Sequence, residues 1–257
     1  MKRYIQAIIE SQVQIGPNAY SMILKAPHIT EHAKPGQFVM IYLNKGEMLL
    51  ARPISLCDVD KHNGTITLIY VAIGAGTKVM SQWQAGQTIN IMGPIGSGFS
   101  IENLTNDPLK PAAIVAGGMG VPPMLFLLKQ MAQRGINTDV YLGFKHKYDL
   151  PDLFKPFAIN LQIATDDGSI GQKGTVMDLL AQNKTYQSIF SCGPIPMLKA
   201  LASYAKSNNT PCQVALEERM ACGIGACKGC VVKTMVGYML CCTYGPVFDS
   251  QEVNWDA

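Results

Sequence analysis

The first hundred residues alternate apolar and polar positions in short runs. These runs are YIQAIIESQVQI, AYSMILKAP, GQFVMIYL, GTITLIYVAI and GQTINIMGPIG, and turn-forming residues separate them. Alternation with a period of two indicates strands that bury one face, and frequent turns between short strands are typical of antiparallel barrels and sandwiches. The pattern therefore predicts a small antiparallel β-barrel or sandwich in the N-terminal part of the chain.

From Pro111 the pattern changes to strands that alternate with helices. PAAIVAGG, TDVYLGF, LQIATDDGS and SIFSCGP have the short apolar runs of buried strands. VPPMLFLLKQMAQRG predicts a helix with proline in its first turn and Gly135 at its end, GTVMDLLAQ continues the alternation, and IPMLKALASYAKSNN predicts a further helix. This order predicts a parallel sheet covered by helices, up to about residue 209.

The remainder of the chain, from Pro211, is distinguished by its cysteines. Cys57 and Cys192 stand alone, whereas the other six of the eight cysteines fall within the last 46 residues. A segment of this length is too short to form a core of its own. We expect a bound metal to help it fold.

Composition and charge exclude several functional classes. The 257 residues carry 21 basic and 18 acidic side chains, which are scattered without the basic runs of nucleic-acid-binding proteins. No segment approaches the roughly 18–20 apolar residues that a membrane span needs. The N-terminal apolar run is short and broken by Glu10, unlike a secretory signal. We expect a soluble cytoplasmic protein without a nucleic-acid or membrane partner.

The cysteine spacing is the most specific chemical signal in the chain. Cys222, Cys227 and Cys230 follow the spacing C-x4-C-x2-C, and Cys242 comes after eleven further residues. This is the plant-type spacing of a [2Fe-2S] cluster, which is held by four thiolates. The glycine and alanine residues between the cysteines allow the tight turns that bring backbone N–H groups close to sulfur.

Other interpretations of the cysteines stay open at this point. A structural zinc site usually has two C-x2-C pairs, of which only Cys227 and Cys230 form one, so zinc ranks second. A Rieske cluster needs two histidines, and all four histidines lie far upstream. Disulfides are disfavoured in a chain without a secretory signal. Cys241 and Cys242 are adjacent, so spacing alone does not name the fourth ligand, and Cys212 is expected to be an ordinary buried thiol.

Three glycine-containing loops indicate a nucleotide site. VAGGMGVPPM follows a strand and opens a helix, where Gly118 and Gly120 match the first two glycines of G-x-G-x-x-G and Pro123 takes the place of the third. TDDGSIGQKG and SCGP also end predicted strands, so all three loops should meet at the carboxyl edge of one sheet. Farther upstream, RPIS and GAGT could contact phosphate, but from the residues alone an exposed arginine and a simple turn are the favoured interpretation.

Taken in order, RPIS, GAGT, GPIGSGF, GGMGVPP, TDDGS, CGP and the cysteine loop resemble the ferredoxin-reductase-like flavoproteins across nearly the whole chain. LEERMACGIGACKGC, followed by GPVF, is similar to the electron transfer subunits of two-subunit, NAD-dependent dihydroorotate dehydrogenase B. The resemblance implies an FAD-binding β-barrel domain over residues 1–101, a parallel α/β NAD-binding domain over 102–210 and a small [2Fe-2S] domain over 211–257.

The same resemblance implies which residues hold the cofactors. Those expected to bind the flavin are Arg52, Pro53, Ile54, Ser55, Ile69, Tyr70, Val71, Gly76 and Thr77. Those expected to hold the nicotinamide nucleotide are Gly117, Gly118, Gly120, Thr165, Asp166, Asp167, Cys192, Gly193 and Pro194. In these relatives two residues separate the last cysteine ligand from Gly-Pro-Val-Phe, which implies Cys242 as the fourth ligand.

The chain departs from the pattern of its relatives at two positions. Many relatives have tyrosine where Ile54 stands, and the relatives usually have aspartate where Tyr244 stands. The first change gives the flavin ring an aliphatic neighbour. The second puts in doubt the hydrogen bonding beside the cluster, and with it the cluster potential, but not ligation.

The resemblance also implies the reaction and the partner. Dihydroorotate would be oxidised at the FMN of a catalytic subunit, and electrons would pass singly through the [2Fe-2S] cluster to FAD and then as hydride to NAD+, in pyrimidine (UMP) biosynthesis. No side chain of this chain is expected to act as an acid or a base, and the chain alone is not expected to oxidise dihydroorotate. The implied assembly is a heterotetramer with two copies of each subunit.

Coenzyme choice and two alternative functions depend on weaker signals. Asp166 and Asp167 would repel the 2′-phosphate of NADP and favour NAD, whereas Lys145 and Lys147 favour NADP weakly. The first alternative function is a flavin and iron-sulfur reductase subunit that serves ferredoxin or sulfur chemistry. The second is a zinc-stabilised binding module with a degenerate flavin fold.

Overall fold

The computed structural model describes residues 2–43, 48–147, 149–180 and 184–256. The chain divides into two compact units. The barrel unit comprises Met1–Gly98, Glu217–Val232 and Tyr238–Pro246, and the sheet unit comprises Phe99–Leu216, Lys233–Gly237 and Val247–Ala257. The residues after 216 are thus shared between the two units and do not form a third compact body.

Six strands of the described barrel unit form a closed antiparallel barrel in the order β1-β2-β5-β4-β3-β6. Closure pairs β1 with β6, so that the barrel has no open edge at which another strand could add. Two short helices, α1 and α2, connect consecutive strands of the barrel. The elements are β1 (Arg3–Gly16), β2 (Ala19–Lys25), α1 (Pro27–His32), β3 (Phe38–Tyr42), β4 (Arg52–Asp60), β5 (Thr65–Val71), α2 (Ala75–Met80) and β6 (Thr88–Ile95).

The apolar alternation of the sequence becomes the inside and outside of this barrel. In β1, Ala7 and Ile9 are buried while Ile8 between them is half exposed. The other strands direct their apolar side chains to the same interior, and these residues include Met22, Leu24, Val39, Ile41, Leu56, Ile66, Leu68 and Ile91. The barrel predicted from the pattern is confirmed, although the pattern missed both helices.

The sheet unit contains a seven-stranded sheet in the order β10-β9-β8-β7-β11-β12-β15. Every neighbouring pair is parallel except β12 and β15, which are antiparallel. Its strands are β7 (Ala112–Gly117), β8 (Thr138–Phe144), β9 (Asn160–Thr165), β10 (Gln172–Lys173), β11 (Ile189–Cys192), β12 (Cys212–Ala215) and β15 (Val247–Asp249). The five central strands have the 3-2-1-4-5 order of a doubly wound nucleotide-binding sheet.

Two long helices cover this sheet, α3 (Val121–Gln133) and α4 (Ile195–Ser207). In α4, Leu198, Leu201, Ala202 and Ala205 are buried, the i, i+3, i+4, i+7 spacing of a helix with one apolar face. In α3 nearly all residues of the first two turns are buried, because this helix is packed by β7, β8 and β11. Gly135 ends α3 with a φ of 71°, a conformation that glycine adopts readily.

The segment GTVMDLLAQ forms less regular structure than the helix alternation predicts. It forms a 3-10 helix over Val176–Leu179, in which Asp178 accepts hydrogen bonds from the backbone N–H and the hydroxyl of Thr175. Its last two residues lie outside the described residues. The element ends after one turn because the backbone at Leu180 is extended, with a ψ of 112°.

A small two-stranded sheet completes the described chain. It consists of β13 (Val231–Thr234) and β14 (Gly237–Leu240) and follows the cysteine loop in sequence. None of the helices in the described ranges is both long and apolar enough to span a lipid bilayer.

Candidate functional site

Hydrogen bonds sort the four predicted cluster ligands into two pairs. The N–H of Cys227 donates to Sγ of Cys222 at 3.4 Å, and the N–H of Cys242 donates to Sγ of Cys230 at 3.4 Å. None of the eight cysteines, all of which lie within the described residues, forms a disulfide bond. Two pairs of thiols suit a two-iron cluster, in which each iron takes two cysteine ligands. The donor set and its backbone N–H groups therefore fit [2Fe-2S].

The cysteine loop turns tightly because residues with positive φ stand between its ligands. Gly223 and Gly225 have φ values of 66° and 84°, and Lys228 has a φ of 55°. A Cβ on Gly223 would lie 2.8 Å from Cγ of Met40 and 3.1 Å from Cε of Met92. The loop thus rests directly on β3 and β6 of the barrel, and glycine is required there both for conformation and for space.

The environment of the loop favours thiolate at Cys222. Its sulfur accepts hydrogen bonds from the backbone N–H groups of Cys227 and Ile224, and these lower the pKa of the Cys222 thiol to about 6. Thiolate is the form that binds iron. Burial instead raises the pKa of Cys230, which is 2% exposed, so that its ionisation depends on the metal.

The structure separates Cys241 and Cys212 from the paired cysteines. Cys241 is fully buried, its N–H donates to the carbonyl of Cys230, and burial raises the pKa of its thiol well above the ordinary value. Cys212 lies in β12 of the sheet unit, where burial raises the pKa of its thiol to about 12. The expectation that Cys212 is an ordinary buried thiol is confirmed.

The predicted flavin residues lie together in the barrel unit. Arg52 to Ser55 are the half-buried first residues of β4, and Ile69 to Val71 end the neighbouring strand β5. Gly76 lies in the first turn of α2, and a Cβ added to it would overlap the guanidinium of Arg52. The guanidinium also donates to the carbonyl of Leu50.

This arrangement suits a flavin dinucleotide. The first-turn N–H groups of a helix have no partner within the helix, and here a guanidinium lies against them, so both groups favour a phosphate. Thr77 is half-buried, and its hydroxyl bonds with the backbone of Gly74. Tyr70 is 2% exposed and donates from its hydroxyl to Gln12, which fixes the end of β5 beside this site. These residues fit the pyrophosphate and the adjoining part of FAD.

The predicted nucleotide residues converge at the carboxyl edge of the sheet. Gly117 ends β7 and Cys192 ends β11, its parallel neighbour. A Cβ on Gly120 would overlap the backbone of Cys192, and one on Gly193 would lie 3.0 Å from the nitrogen of Gly117. The glycines therefore let the backbones of two loops approach each other closely. As a result, main-chain groups lie at the carboxyl edge of the sheet. Pro194 follows directly, as the residue that caps α4.

The loop after β9 divides its polar side chains between two tasks. The hydroxyl of Thr165, which is fully buried, bonds with the backbone of Ile170 and holds the loop itself. Asp166 and Asp167 are exposed. Asp167 accepts hydrogen bonds from the N–H of Ser169 at 2.9 Å and from Nδ1 of His146 at 2.8 Å. The side chain of Ser169, followed by His146 and the Ser169 N–H, holds the pKa of Asp167 well below the usual range.

Sequence reasoning missed two sets of residues. His146 follows β8 and contacts Asp167 only because β8 and β9 are parallel neighbours, with Phe144 opposite Thr165. Its position between Lys145 and Lys147 after a predicted strand was the available signal. Tyr42 and Met92 lie beside the loop, and the hydroxyl of Tyr42 contacts the sulfur of Met92. Burial raises the pKa of Tyr42, with smaller contributions from Tyr4 and from the Cys222 thiolate. Nothing in the local pattern distinguishes Tyr42 and Met92 from ordinary barrel residues.

Comparison with known proteins agrees with this geometry. Residues 6–99 match the family model of an oxidoreductase FAD-binding domain, and residues 217–254 match the iron-sulfur cluster binding domain of dihydroorotate dehydrogenase B. The electron transfer subunit of dihydroorotate dehydrogenase B (NAD(+)) from Fusobacterium nucleatum is 40% identical over 256 residues, which covers 96% of both chains. The protein of the same name from Geobacillus kaustophilus is 39% identical over 95% of this chain and 96% of its own.

Solved structures extend the comparison to the fold. The structure of an NADH-dependent reduced ferredoxin-NADP oxidoreductase, described in connection with flavin-based electron bifurcation, has a TM-score of 0.86 at 28% identity and covers 97% of this chain and 90% of its own. A ferredoxin NADP+ reductase from Neisseria gonorrhoeae with bound FAD and NADP shares the fold, with a TM-score of 0.63 at 16% identity and coverage of 84% and 94%. With full-length relatives near 40% identity, this chain belongs to the family of dihydroorotate dehydrogenase B (NAD(+)) electron transfer subunits.

Proposed function

We propose that this chain carries electrons from the FMN of a catalytic dihydroorotate dehydrogenase subunit to NAD+, through a [2Fe-2S] cluster and FAD, in pyrimidine (UMP) biosynthesis. The observation that carries the proposal is the sorting of Cys222 with Cys227 and of Cys230 with Cys242 beside the FAD-binding barrel. When bound, the cluster supplies one-electron transfer and FAD links it to the two-electron nicotinamide carrier.

The residues of the cysteine loop hold and tune the cluster in this proposal. The four thiols provide its ligands, and N–H groups directed at sulfur stabilise negative charge there, which raises a cluster potential. Cys230 and Cys242 are each 2% exposed while Cys227 is exposed. The ligand side that contains Cys227 is therefore the side that a redox partner can approach.

The proposed flavin site uses the barrel residues Arg52, Pro53, Ile54, Ser55, Ile69, Tyr70, Val71, Gly76 and Thr77. Arg52 would neutralise the pyrophosphate, because its guanidinium already lies at the start of α2. Ile54, which pairs with Val39 of β3, would give the flavin an aliphatic contact. Each group binds or orients the flavin, and none is required to transfer a proton.

The proposed nucleotide site uses the loop residues Gly117, Gly118, Gly120, Thr165, Asp166, Asp167, Cys192, Gly193 and Pro194. The glycines admit the pyrophosphate to the start of α3, and the aspartates would bind ribose hydroxyls and repel a 2′-phosphate. Cys192 is 2% exposed, so its part would be to border the nicotinamide, without reacting. NAD+ is accordingly the proposed acceptor.

Three further features belong to the proposal. Residues 1–101, 102–210 and 211–257 serve as the FAD, NAD and [2Fe-2S] segments, although compactness divides the chain in two. The assembly is a heterotetramer of two copies of this chain and two of the FMN subunit. The location is the cytoplasm, a reducing compartment that suits eight cysteines without disulfide bonds.

The decisive experiment is reconstitution with the FMN-containing catalytic subunit. We expect the two chains to copurify as a complex of two copies each, and the complex to oxidise dihydroorotate with NAD+. The chain alone should show flavin and iron-sulfur absorbance and oxidise NADH with an artificial acceptor, but leave dihydroorotate unchanged. A complex that forms yet does not transfer electrons to NAD+ would contradict the proposal.

A second candidate function has one supporting observation. The likeness to an NADH-dependent reduced ferredoxin-NADP oxidoreductase, at 28% identity, also suits a subunit that exchanges electrons with ferredoxin. Reduction of ferredoxin by NADH, together with failure to bind the FMN subunit, would favour this candidate. A purified chain with zinc in place of iron and no flavin would instead favour a binding module.

A further inference from the structure

A cluster of two histidines and one glutamate lies on the outer face of α1, far in sequence from the cysteine loop. One ligand atom each of His28, Glu31 and His32 lies within 4.8 Å of the other two. The two imidazole rings have their centroids 4.8 Å apart, and Nδ1 of His32 lies 3.9 Å from Oε2 of Glu31. The i, i+3 and i+4 spacing places all three side chains on one helix face.

The opposite face of α1 is anchored in the barrel unit. Ile29 and Thr30 are buried, and the hydroxyl of Thr30 donates to the carbonyl of Pro27 at 2.8 Å. The N–H of Ala26 donates to the carbonyl of Gly64, next to the start of the helix, at 2.9 Å. The backbone that carries the three polar side chains is therefore fixed before any ligand binds.

The imidazole of His32 is already oriented as in many metal sites. Its Nδ1 lies 3.0 Å from the carbonyl oxygen of His28, and because a carbonyl only accepts, Nδ1 carries the proton. The ring lone pair is then on Nε2. Metal-ligating histidines usually donate their other ring N–H to a carboxylate or a carbonyl in this way, which fixes the tautomer and the ring orientation.

We propose that His28, Glu31 and His32 form a binding site for a divalent transition metal, with zinc as the ion that suits it best. Two imidazoles and a carboxylate are zinc ligands, and zinc tolerates the irregular geometry of a surface site because it has no preference from d electrons. Ligand atoms around tetrahedral zinc stand about 3.3 Å apart, so side-chain rotation closes the present spacing. The side chains of Glu31 and His32 are 70% and 41% exposed, which leaves water to complete the coordination.

Zinc titration of the full-length, flavin-loaded and cluster-loaded chain tests this site. We expect one zinc ion to bind per chain, measured by calorimetry, and affinity to fall at least about tenfold in His28→Gln and in His32→Gln. Glu31→Gln should weaken binding less. His62→Gln is the matched control, because His62 is an exposed histidine in the turn between β4 and β5, and it should bind zinc as the unaltered chain does.

Iron content and visible absorbance, followed in the same titration, separate this site from the cysteines. Zinc uptake without loss of the cluster bands supports the site, whereas uptake that tracks bleaching assigns the ion to the cysteine loop and overturns the proposal. Unchanged affinity in both histidine variants, or an equal loss in His62→Gln, also overturns it. Equal melting temperatures and FAD contents across the variants verify that each one is folded.

Discussion

At the scale of single residues, adjacent positions in this chain have different chemistry. Cys241 and Cys242 are both almost fully buried, but the N–H of Cys242 donates to the sulfur of Cys230, whereas the N–H of Cys241 donates to the carbonyl of Cys230. Both residues lie in the turn that follows β14, and they differ in which atom of Cys230 their N–H group contacts. The assignment of the fourth cluster ligand rests on this difference.

Replacing each of these cysteines by alanine tests the assignment. Cys242→Ala should lower cluster retention by on the order of tenfold or more, since even the loss of an outer contact to a metal ligand costs 10–100-fold. Cys241→Ala, its matched control, should keep the cluster. Iron per chain and the visible spectrum of the purified proteins provide the measurement, and equal iron in the two variants would rule out Cys242 as the unique fourth ligand.

The carboxylate of Asp167 has an unusually low pKa because of the hydrogen bonds it accepts. Its hydrogen bonds from Ser169 and His146 hold its pKa below the value near 3.9 of an unfolded chain. The stabilisation is therefore present above about pH 4 and is lost as the pH falls through the lower, folded value. Across the range from pH 5 to 8 the Asp167 side chain therefore stays negative, and it contributes to the repulsion of a 2′-phosphate throughout this range.

We predict that Asp167→Asn raises kcat/KM for NADPH relative to NADH by about tenfold, because the variant loses one source of repulsion toward the 2′-phosphate. Asp107→Asn is the matched control, because Asp107 precedes β7 and lies at the opposite edge of the sheet. An NADPH preference in the unaltered chain, or an equal change in the control, would contradict the role of Asp167.

At the scale of elements, the absence of a side chain at Gly76 lets Arg52 approach the start of α2 closely. Gly74 and Gly76 stand two residues apart, but a Cβ on Gly74 would meet nothing within 4 Å, whereas one on Gly76 would overlap the Arg52 guanidinium. Neither glycine has a positive φ, so alanine fits the backbone at both positions. The two positions differ only in whether a methyl group displaces the arginine.

Gly76→Ala should therefore lower FAD affinity by about ten- to a hundredfold, which corresponds to one charge-assisted hydrogen bond of about 1.5–3 kcal/mol. Stability should change little, because the displaced atoms are the far end of a flexible side chain. Gly74→Ala should bind FAD normally. FAD dissociation constants and melting temperatures of both variants test this prediction. Weak FAD binding in both variants would show that the backbone at the start of α2, and not the position of Arg52, determines FAD affinity.

At the scale of the whole molecule, the segment after residue 216 does not fold as a separate body. Its cysteine loop is part of the barrel unit, where Gly223 rests on Met40 and Met92, while β15 extends the sheet of the sheet unit beside β12. A segment too short to form a core of its own is thereby stabilised by two existing cores. The sequence predicts that this segment needs a bound metal in order to fold. That prediction applies to the cysteine loop, because β15 is stabilised by its pairing with β12.

The amino-acid sequence by itself determined the type of each half of the chain. Period-two alternation was enough for the barrel, because each strand has one buried face, and β8 (Thr138–Phe144) coincides with the run TDVYLGF. Helix α3 was predictable from its prolines and from Gly135. The short elements α1, α2 and β15 were missed, since six or fewer residues carry too little periodicity to be distinguished from loops.

Cysteine spacing and glycine loops, which are local, likewise determined the chemistry expected of the chain, and the alternation of strands and helices determined that the sheet is mainly parallel. Only the tertiary structure decided which residues meet. It paired Cys230 with Cys242, placed Arg52 on Gly76 and joined His146 to Asp167, across separations of 12, 24 and 21 residues. Such contacts depend on strand register and on how loops pack against the barrel and the sheet, which a local pattern does not encode.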